Sequence, residues 1–479
     1  MNKKMLSIVF ILFCFCKVNL LYSQDSSGFA LTLKQCIETA IANNADVRNA
    51  DFTAQSNKVN WQQSRGNKLP FASGSITNGI TQGRSINPYT NSYINQQNTY
   101  ANYGLNASIT LWNGSSVANN IRANNLNYEA SEKDLQQAKD NLTINVILDY
   151  LQILSNEELL EEAIKQMDVT KKQVERLNLQ NNEGAIAPAT LYDLKGQLGA
   201  EQLGVINAEN ALASSKIALV QLMNVPYSEN MAVQHIDVDS SLVMYDGTTA
   251  QIYQQALQNF AMIKAADLRK QSASKALKAA RGVLFPTLSL NGGLGTNYSS
   301  AATTSQLLNT TDVETDNYVL YNNQKLLLYT PEQNFTTENI SYFNQWKNNL
   351  NTAFNIGLQI PILNGLYARS KIKQAIITQE RDNFTSKLVR TQLQQNIEQA
   401  YVNMNSAFER YQTLQAEVED FAASFHAANI KFNEGVLTSV DYMVAKNNVD
   451  QTQINLISAK YDYALRVKIL DYYEGKALW

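Results

Sequence analysis

Histidine is nearly missing from this chain. Its only two, His235 and His426, sit in unrelated contexts, so neither a histidine-built metal centre nor a histidine-based triad has support. Cysteine is almost as scarce, and Cys14 and Cys16 fall in or beside the apolar stretch from Met5 to Phe15. With Lys3 and Lys4 before it and Leu21-Tyr22-Ser23 after it, that stretch reads as a secretory signal peptide over residues 1–23. Neither cysteine has the small residue before it that a lipoprotein signal places there. Cys36 alone is then left in the mature chain, which excludes an internal disulfide. Long apolar runs are missing too: nothing in the mature chain approaches the ~20 apolar residues of a membrane-spanning helix, so insertion into a membrane has to be by β-strands. Positive charge is in deficit. Without Lys3, Lys4 and Lys17, 39 − 3 = 36 basic residues face 42 acidic ones, a net charge of −6. No basic stripe stands out, which excludes nucleic acid as a partner.

Glycine and proline are absent from three long intervals: Gly114 to Gly184, Gly365 to Gly435, and Gly435 to Gly475. Within them apolar residues recur at three and four, as in Leu142, Val146, Tyr150 and Ile153, then Leu160, Ile164, Met167, Val174 and Leu177. This spacing predicts helices with a narrow buried stripe, packed as in a coiled coil. About 70 residues of such helix span ~100 Å. The arm after Gly184 is less clean, because Gly196, Gly199 and Gly204 interrupt it. Glu157, Glu158, Glu161 and Glu162 read as a solvated helix face.

The chain is internally duplicated. Cys36–Ser75 matches Ile252–Asn291 at an offset of 216, through pairs such as Asn43/Asn259, Arg65/Arg281, Gly66/Gly282 and Pro70/Pro286. From Ile109 onward the offset is 251, pairing Asn113/Asn364, Gly114/Gly365, Tyr150/Tyr401, Gly184/Gly435 and Lys195/Lys446. The difference, 251 − 216 = 35 residues, is an insert in the second copy. The repeats are assigned to residues 24–230 and 231–479, intertwined as one unit. Segments 81–101 and 297–349, rich in Asn, Tyr and Ser, read as loops. Beside them lie four period-two segments at about 71–80, 103–112, 287–296 and 353–363, each near the ~9–11 residues of a bilayer-crossing strand. Gly292-Gly293-Leu294-Gly295 lies in one of these and reads as glycine-rich strand, not as a phosphate loop. Four strands cannot close a barrel, since the smallest membrane barrels have about eight. Obligate assembly follows if they enter lipid.

Four features, in order and partly duplicated, resemble the TolC-like outer-membrane efflux family over essentially the whole mature chain. They are Leu31-Thr32-Leu33-Lys34-Gln35-Cys36-Ile37 with Ala42-Asn43-Asn44-Ala45-Asp46-Val47-Arg48; Arg65-Gly66 with Pro70 and Arg281-Gly282 with Pro286; Ile360-Pro361-Ile362-Leu363-Asn364-Gly365; and Gly435 followed by Asp441. The first copy departs from the third by carrying Thr110 where the second has its proline. The resemblance implies a mainly α chain with a β-barrel part. In it a homotrimer closes twelve strands into one barrel in outer-membrane lipid, above a periplasmic α-helical tunnel. It also implies an exit duct of a tripartite efflux or type I secretion system. Such ducts work with a periplasmic adaptor (membrane fusion) protein and an inner-membrane RND or ABC transporter, and have no catalytic residues, cofactor or metal of their own. The alternative is a periplasmic or surface coiled-coil interaction protein without a pore.

The work is expected at the two Asn-Glu-Gly tips, Asn182-Glu183-Gly184 and Asn433-Glu434-Gly435. Both glycines suit the left-handed position that ends a helix. Thr438–Asp441 and Thr190–Asp193 resemble capping boxes with Asp for Glu, which would start the helix after the first tip three residues late. Asp441 and Asp193 are alternatively the periplasmic constriction, because threefold symmetry makes each a ring of three acids. Gly184, Ala185 and Ile186, with Gly435, Val436 and Leu437, are the candidate adaptor-docking surface.

Overall fold

The computed structural model describes residues 30–86, 91–95, 97–238 and 242–476. The signal peptide reading lies outside them. The elements repeat at the two offsets found in the sequence. Helices α1 (Leu33–Asn43) and α2 (Ala45–Gly66) return 216 residues later as α5 (Thr249–Asn259) and α6 (Ala261–Gly282). Between these pairs lie α3 (Ser116–Asn182) and α4 (Pro188–Met223), and both recur 251 residues later as α8 (Tyr367–Asn433) and α9 (Ser439–Glu474). The strands are β1 (Phe71–Thr81), β2 (Arg84–Ile86), β3 (Tyr93–Asn95) and β4 (Asn98–Trp112), then β5 (Thr287–Ser299), β6 (Thr303–Tyr321), β7 (Gln324–Asn339) and β8 (Asn351–Gln359). A short helix, α7 (Tyr342–Asn348), precedes β8. Local chemistry explains the starts: Thr32 with Gln35, and Thr248 with Gln251, form complete capping boxes on α1 and α5.

The chain divides into two compact units, and each draws on both repeats. The first comprises residues 1–51, 135–261 and 390–479. Its core gathers Cys36, Ile37 and Ala40 of α1, Val146, Tyr150 and Leu154 of α3, Leu219 and Met223 of α4, and Ile457 and Tyr461 of α9. Tyr150 is fully buried, and its hydroxyl donates to the carbonyls of Leu31 and Gln234, the two segments joined by a parallel bridge at Leu31 and Val233. Burial pushes the Cys36 thiol up to about 11, so this cysteine behaves as a small core hydrophobe. Three glutamates expected on a solvated face are instead half-buried and partnered. Glu157 lies 3.8 Å from Lys216, Glu158 3.1 Å from Lys460, and Glu162 3.1 Å from Lys165. Glu157 and Glu158 face neighbouring helices that the local pattern could not reveal, and only Glu161 of the four stays exposed.

The second unit, residues 52–134 and 262–389, carries an antiparallel sheet in the order β1-β4-β5-β8. Helix ends pack tightly beneath it. At Gly114, where φ is +62°, a Cβ would meet the Gly282 carbonyl oxygen at 2.6 Å, so only glycine fits the turn from β4 into α3. The segment 297–349, expected as a loop, is mostly a β-ribbon. β6 and β7 pair from Thr303–Asn339 to Tyr321–Gln324. Asn322 and Asn323, at φ 49° and 63°, make the two-residue turn that matches strand twist. Polar composition hid it, because Asn and Thr serve loops and water-exposed ribbons equally.

Lys446 of α9 ties the first unit together. Its side chain is 2% exposed, and its Nζ donates to Glu201 of α4 at 2.9 Å and to Asp450. The repeat partner Lys195 has Gly199 where Lys446 has Asp450 and is exposed, so only one copy builds this bridge. Burial pulls the Lys446 ammonium down, but Asp450 and Glu201 outweigh it and hold the group above its usual 10.5. The bridge therefore persists through neutral pH; it is lost as pH climbs past that raised value, and at acid pH once Asp450 is protonated. Burial likewise lifts the Asp450 carboxyl above 3.8, against the pull of Lys446. Lys446→Met leaves two carboxylates facing each other and is expected to cost ~3–5 kcal/mol at neutral pH. Because the unpaired Asp450 then favours its protonated form still more, the deficit shrinks at acid pH. Thermal unfolding followed by helical circular dichroism at both pH values checks the size and the sign.

Candidate functional site

The sheet register sorts side chains onto two chemically different faces. On one, Ile76 pairs with Tyr103, Gly74 with Leu105, Leu105 with Leu294, Leu290 with Ile356, Gly292 with Phe354 and Leu288 with Leu358. On the other, Ser73 pairs with Asn106, Thr77 with Asn102, Ser108 with Asn291, Asn291 with Asn355 and Ser289 with Gly357. Opposite residues share a face, so the sheet has one apolar side and one side of Asn, Ser, Thr and Gly. The apolar side is not covered: Ile76 is 78% exposed, Ile356 70% and Phe354 83%. The outer edges of β1 and β8 pair with no other described strand. An exposed aliphatic face beside two open edges marks a surface that meets something other than water.

The tips are built by glycine geometry over a small core. Gly184 and Gly435 have φ of +72° and +73°. At the first, Ala185 N–H donates to Gln180 and Gly184 N–H to Asn181; at the second, Val436 N–H donates to Lys431 and Gly435 N–H to Phe432. This is the double bond pattern that closes a helix on a left-handed residue. Beneath lie Val174, Leu177, Leu191, Leu194, Phe432 and Tyr442, with Ile186 and Leu437 packed against them. Phe432 and Tyr442 stack at 4.4 Å. Of the apolar tip residues, Ile186 and Leu437 are thus turned into this local core, while Gly184, Ala185, Gly435 and Val436 remain exposed. Val440 and Val444, one turn apart on α9, are also more than half exposed.

The two aspartates differ. Thr438 caps α9: Asp441 N–H donates to Thr438 Oγ1 at 3.1 Å, and that hydroxyl donates to Asp441 Oδ2 at 2.7 Å. The box expected at Thr190–Asp193 does not form. α4 begins at Pro188 with Ala187 as its N-cap and no side-chain cap, because proline pre-sets the first turn. Asp193 instead accepts from Ser439 Oγ at 2.9 Å, linking the starts of α4 and α9. Gln173 extends the link by donating to Asn429 and Asn433 at 3.2 and 3.3 Å. Ser439 and Gln173 were not legible as site residues, since their partners lie over 240 positions away. Among the described residues no group of three or more His, Cys, Asp or Glu side chains is placed to hold a metal.

Known proteins share this fold at low identity. The cation efflux system protein CusC of Escherichia coli is 24% identical over 269 residues, covering 55% of this chain and 56% of CusC. The outer membrane protein TolC of Vibrio cholerae is 21% identical over 390 residues, covering 81% of this chain and 79% of TolC. In fold, a crystal structure of CusC matches with a TM-score of 0.75 at 18% identity, covering 93% of this chain and 92% of that one. The Campylobacter jejuni CmeC outer membrane channel matches with a TM-score of 0.73 at 17% identity, over 92% of this chain and 85% of CmeC. The family profile for outer membrane efflux proteins covers residues 36–225 and 252–473, almost the whole described chain, and the protein belongs to that family.

Proposed function

We propose that three copies of this chain close twelve strands into one barrel in the outer membrane of a Gram-negative bacterium. Their helices then form a tunnel in the periplasm. The duct passively conducts substrates handed over by a periplasmic adaptor and an inner-membrane RND or ABC transporter, in tripartite efflux or type I secretion. The observation that carries this reading is the two-faced sheet: its apolar side suits lipid and its Asn/Ser side suits a water-filled lumen. The free edges of β1 and β8 are what neighbouring protomers would pair. A coiled-coil interaction protein without a pore leaves that apolar face with no solvent to match it. Heat-modifiable trimers in the outer-membrane fraction are expected; a soluble periplasmic monomer would contradict the duct.

The tips are the periplasmic mouth in this reading. Asp441 and Asp193 supply acidic rings under threefold symmetry, and the Ser439–Asp193 bond restrains the mouth. Asp193→Ala removes that restraint and is expected to raise resting conductance in planar bilayers several-fold. Asp441→Asn keeps an acceptor for Thr438 and removes only charge, so cation selectivity should fall while trimer stability holds. Unchanged selectivity would remove Asp441 from the constriction.

Exposed Ala185 and Val436, with Val440 and Val444, form the surface offered to the adaptor. A Cβ at Gly435 meets nothing within 4 Å, so Gly435→Ala carries only the left-handed strain of ~1–2 kcal/mol. It should retain the adaptor on co-purification, while Gly435→Trp should lose it. Retention by both would place docking elsewhere.

A further inference from the structure

The β6–β7 ribbon occupies the place of the 35-residue insert (251 − 216) in the second repeat, and the duct reading leaves it without a role. It is a two-stranded sheet on its own among the described residues, with both long edges free. Its base is fixed firmly. Gln345 of α7 is 2% exposed, donates to the carbonyls of Ser299 and Ile340 at 2.9 and 2.8 Å, and accepts from Ser299 N–H at 2.9 Å. The Ile340 N–H donates to Ala302, closing the ribbon's two ends onto each other. A clamped base holds the ribbon in one direction.

Its far end is apolar on both faces. Tyr318 pairs with Leu327 and Leu320 with Lys325 on one side, and Val319 pairs with Leu326 on the other, where Leu328 and Tyr321 also lie. All of Tyr318, Val319, Leu320, Tyr321, Leu326, Leu327, Leu328 and Tyr329 are 45–66% exposed. Counted over both faces, they present on the order of 800 Å² of surface. The shaft below is acidic, with Asp312, Glu314, Asp316, Glu332 and Glu338 against the single Lys325 of the whole ribbon.

We infer that the ribbon tips bind one another, three copies meeting on the symmetry axis as a homotypic cap. This rests on the trimeric reading above. A tip apolar on one face would suit one flat partner; a tip apolar on both needs a neighbour on each side. A ring of three gives every ribbon two neighbours. The acidic shaft is repelled by an anionic membrane surface and by its own copies, so contact is confined to the tip, where Lys325 is the one charged side chain. Tip-to-tip contact also shields the open edges of an exposed apolar ribbon from other chains.

The test uses the full-length protein in its membrane. The one cysteine expected in the mature chain, Cys36, is fully buried, so introduced cysteines report alone. Leu327→Cys at the tip and Thr337→Cys on the shaft are treated with a short bis-maleimide and run on a denaturing gel, with native mass measured on the untreated protein. Covalent dimers from Leu327→Cys, at least tenfold above Thr337→Cys, are the expected result, since each thiol takes one maleimide and the reagent joins two protomers at most. Native trimers giving no such excess overturn the cap while leaving the duct standing. A native monomer overturns both.

Discussion

A backbone amide or carbonyl left unpaired in hydrocarbon costs several kcal/mol, and this constraint governs the rest of the structure. The sheet β1-β4-β5-β8 satisfies its interior and leaves two edges open. Its aliphatic face is bare while its opposite face is dressed in Asn, Ser and Gly. In the proposed trimer, pairing of β1 with a neighbour's β8 would resolve both deficits: the edges would find partners, and the face would meet lipid. Each repeat contributes two strands to the sheet, β1 and β4 from the first and β5 and β8 from the second.

The helical part is held by different chemistry. Its first unit has an apolar core around Tyr150 and Leu219. Specific polar bonds then fix which helices lie together: Lys446 with Glu201 and Asp450, and Asp193 with Ser439. The buried lysine occurs in one repeat only, so duplication supplied the scaffold and divergence supplied the fastening. That asymmetry makes the two hairpins unequal.

Much of this was legible in the residues. The two offsets locate every repeated helix, the glycine-free intervals give the long helices, and the alternation around Leu105 and Ile356 gives the strands. The duplicated Gly184 and Gly435 give the turns. What escaped has more than one cause, and the first is that partners distant in sequence leave no local pattern. The glutamate run looked solvated because Lys216 and Lys460 lie on other helices. The cap at Thr190 looked real because Pro188 and Ala187, which start the helix earlier, form no motif with it. The ribbon of β6 and β7 looked like a loop because its Asn and Thr residues carry no burial signal. Gln345, which anchors that ribbon, is one glutamine among many until its three bonds are seen.

The central claim is that one face of the sheet meets lipid and the other meets water. Single cysteines at Ile356 and Asn355, adjacent on β8 and pointing to opposite faces, test it most directly in intact outer membranes. A membrane-impermeant thiol reagent is predicted to label Asn355→Cys readily and Ile356→Cys hardly at all. Equal labelling of both, or labelling of Ile356→Cys alone, would contradict the account.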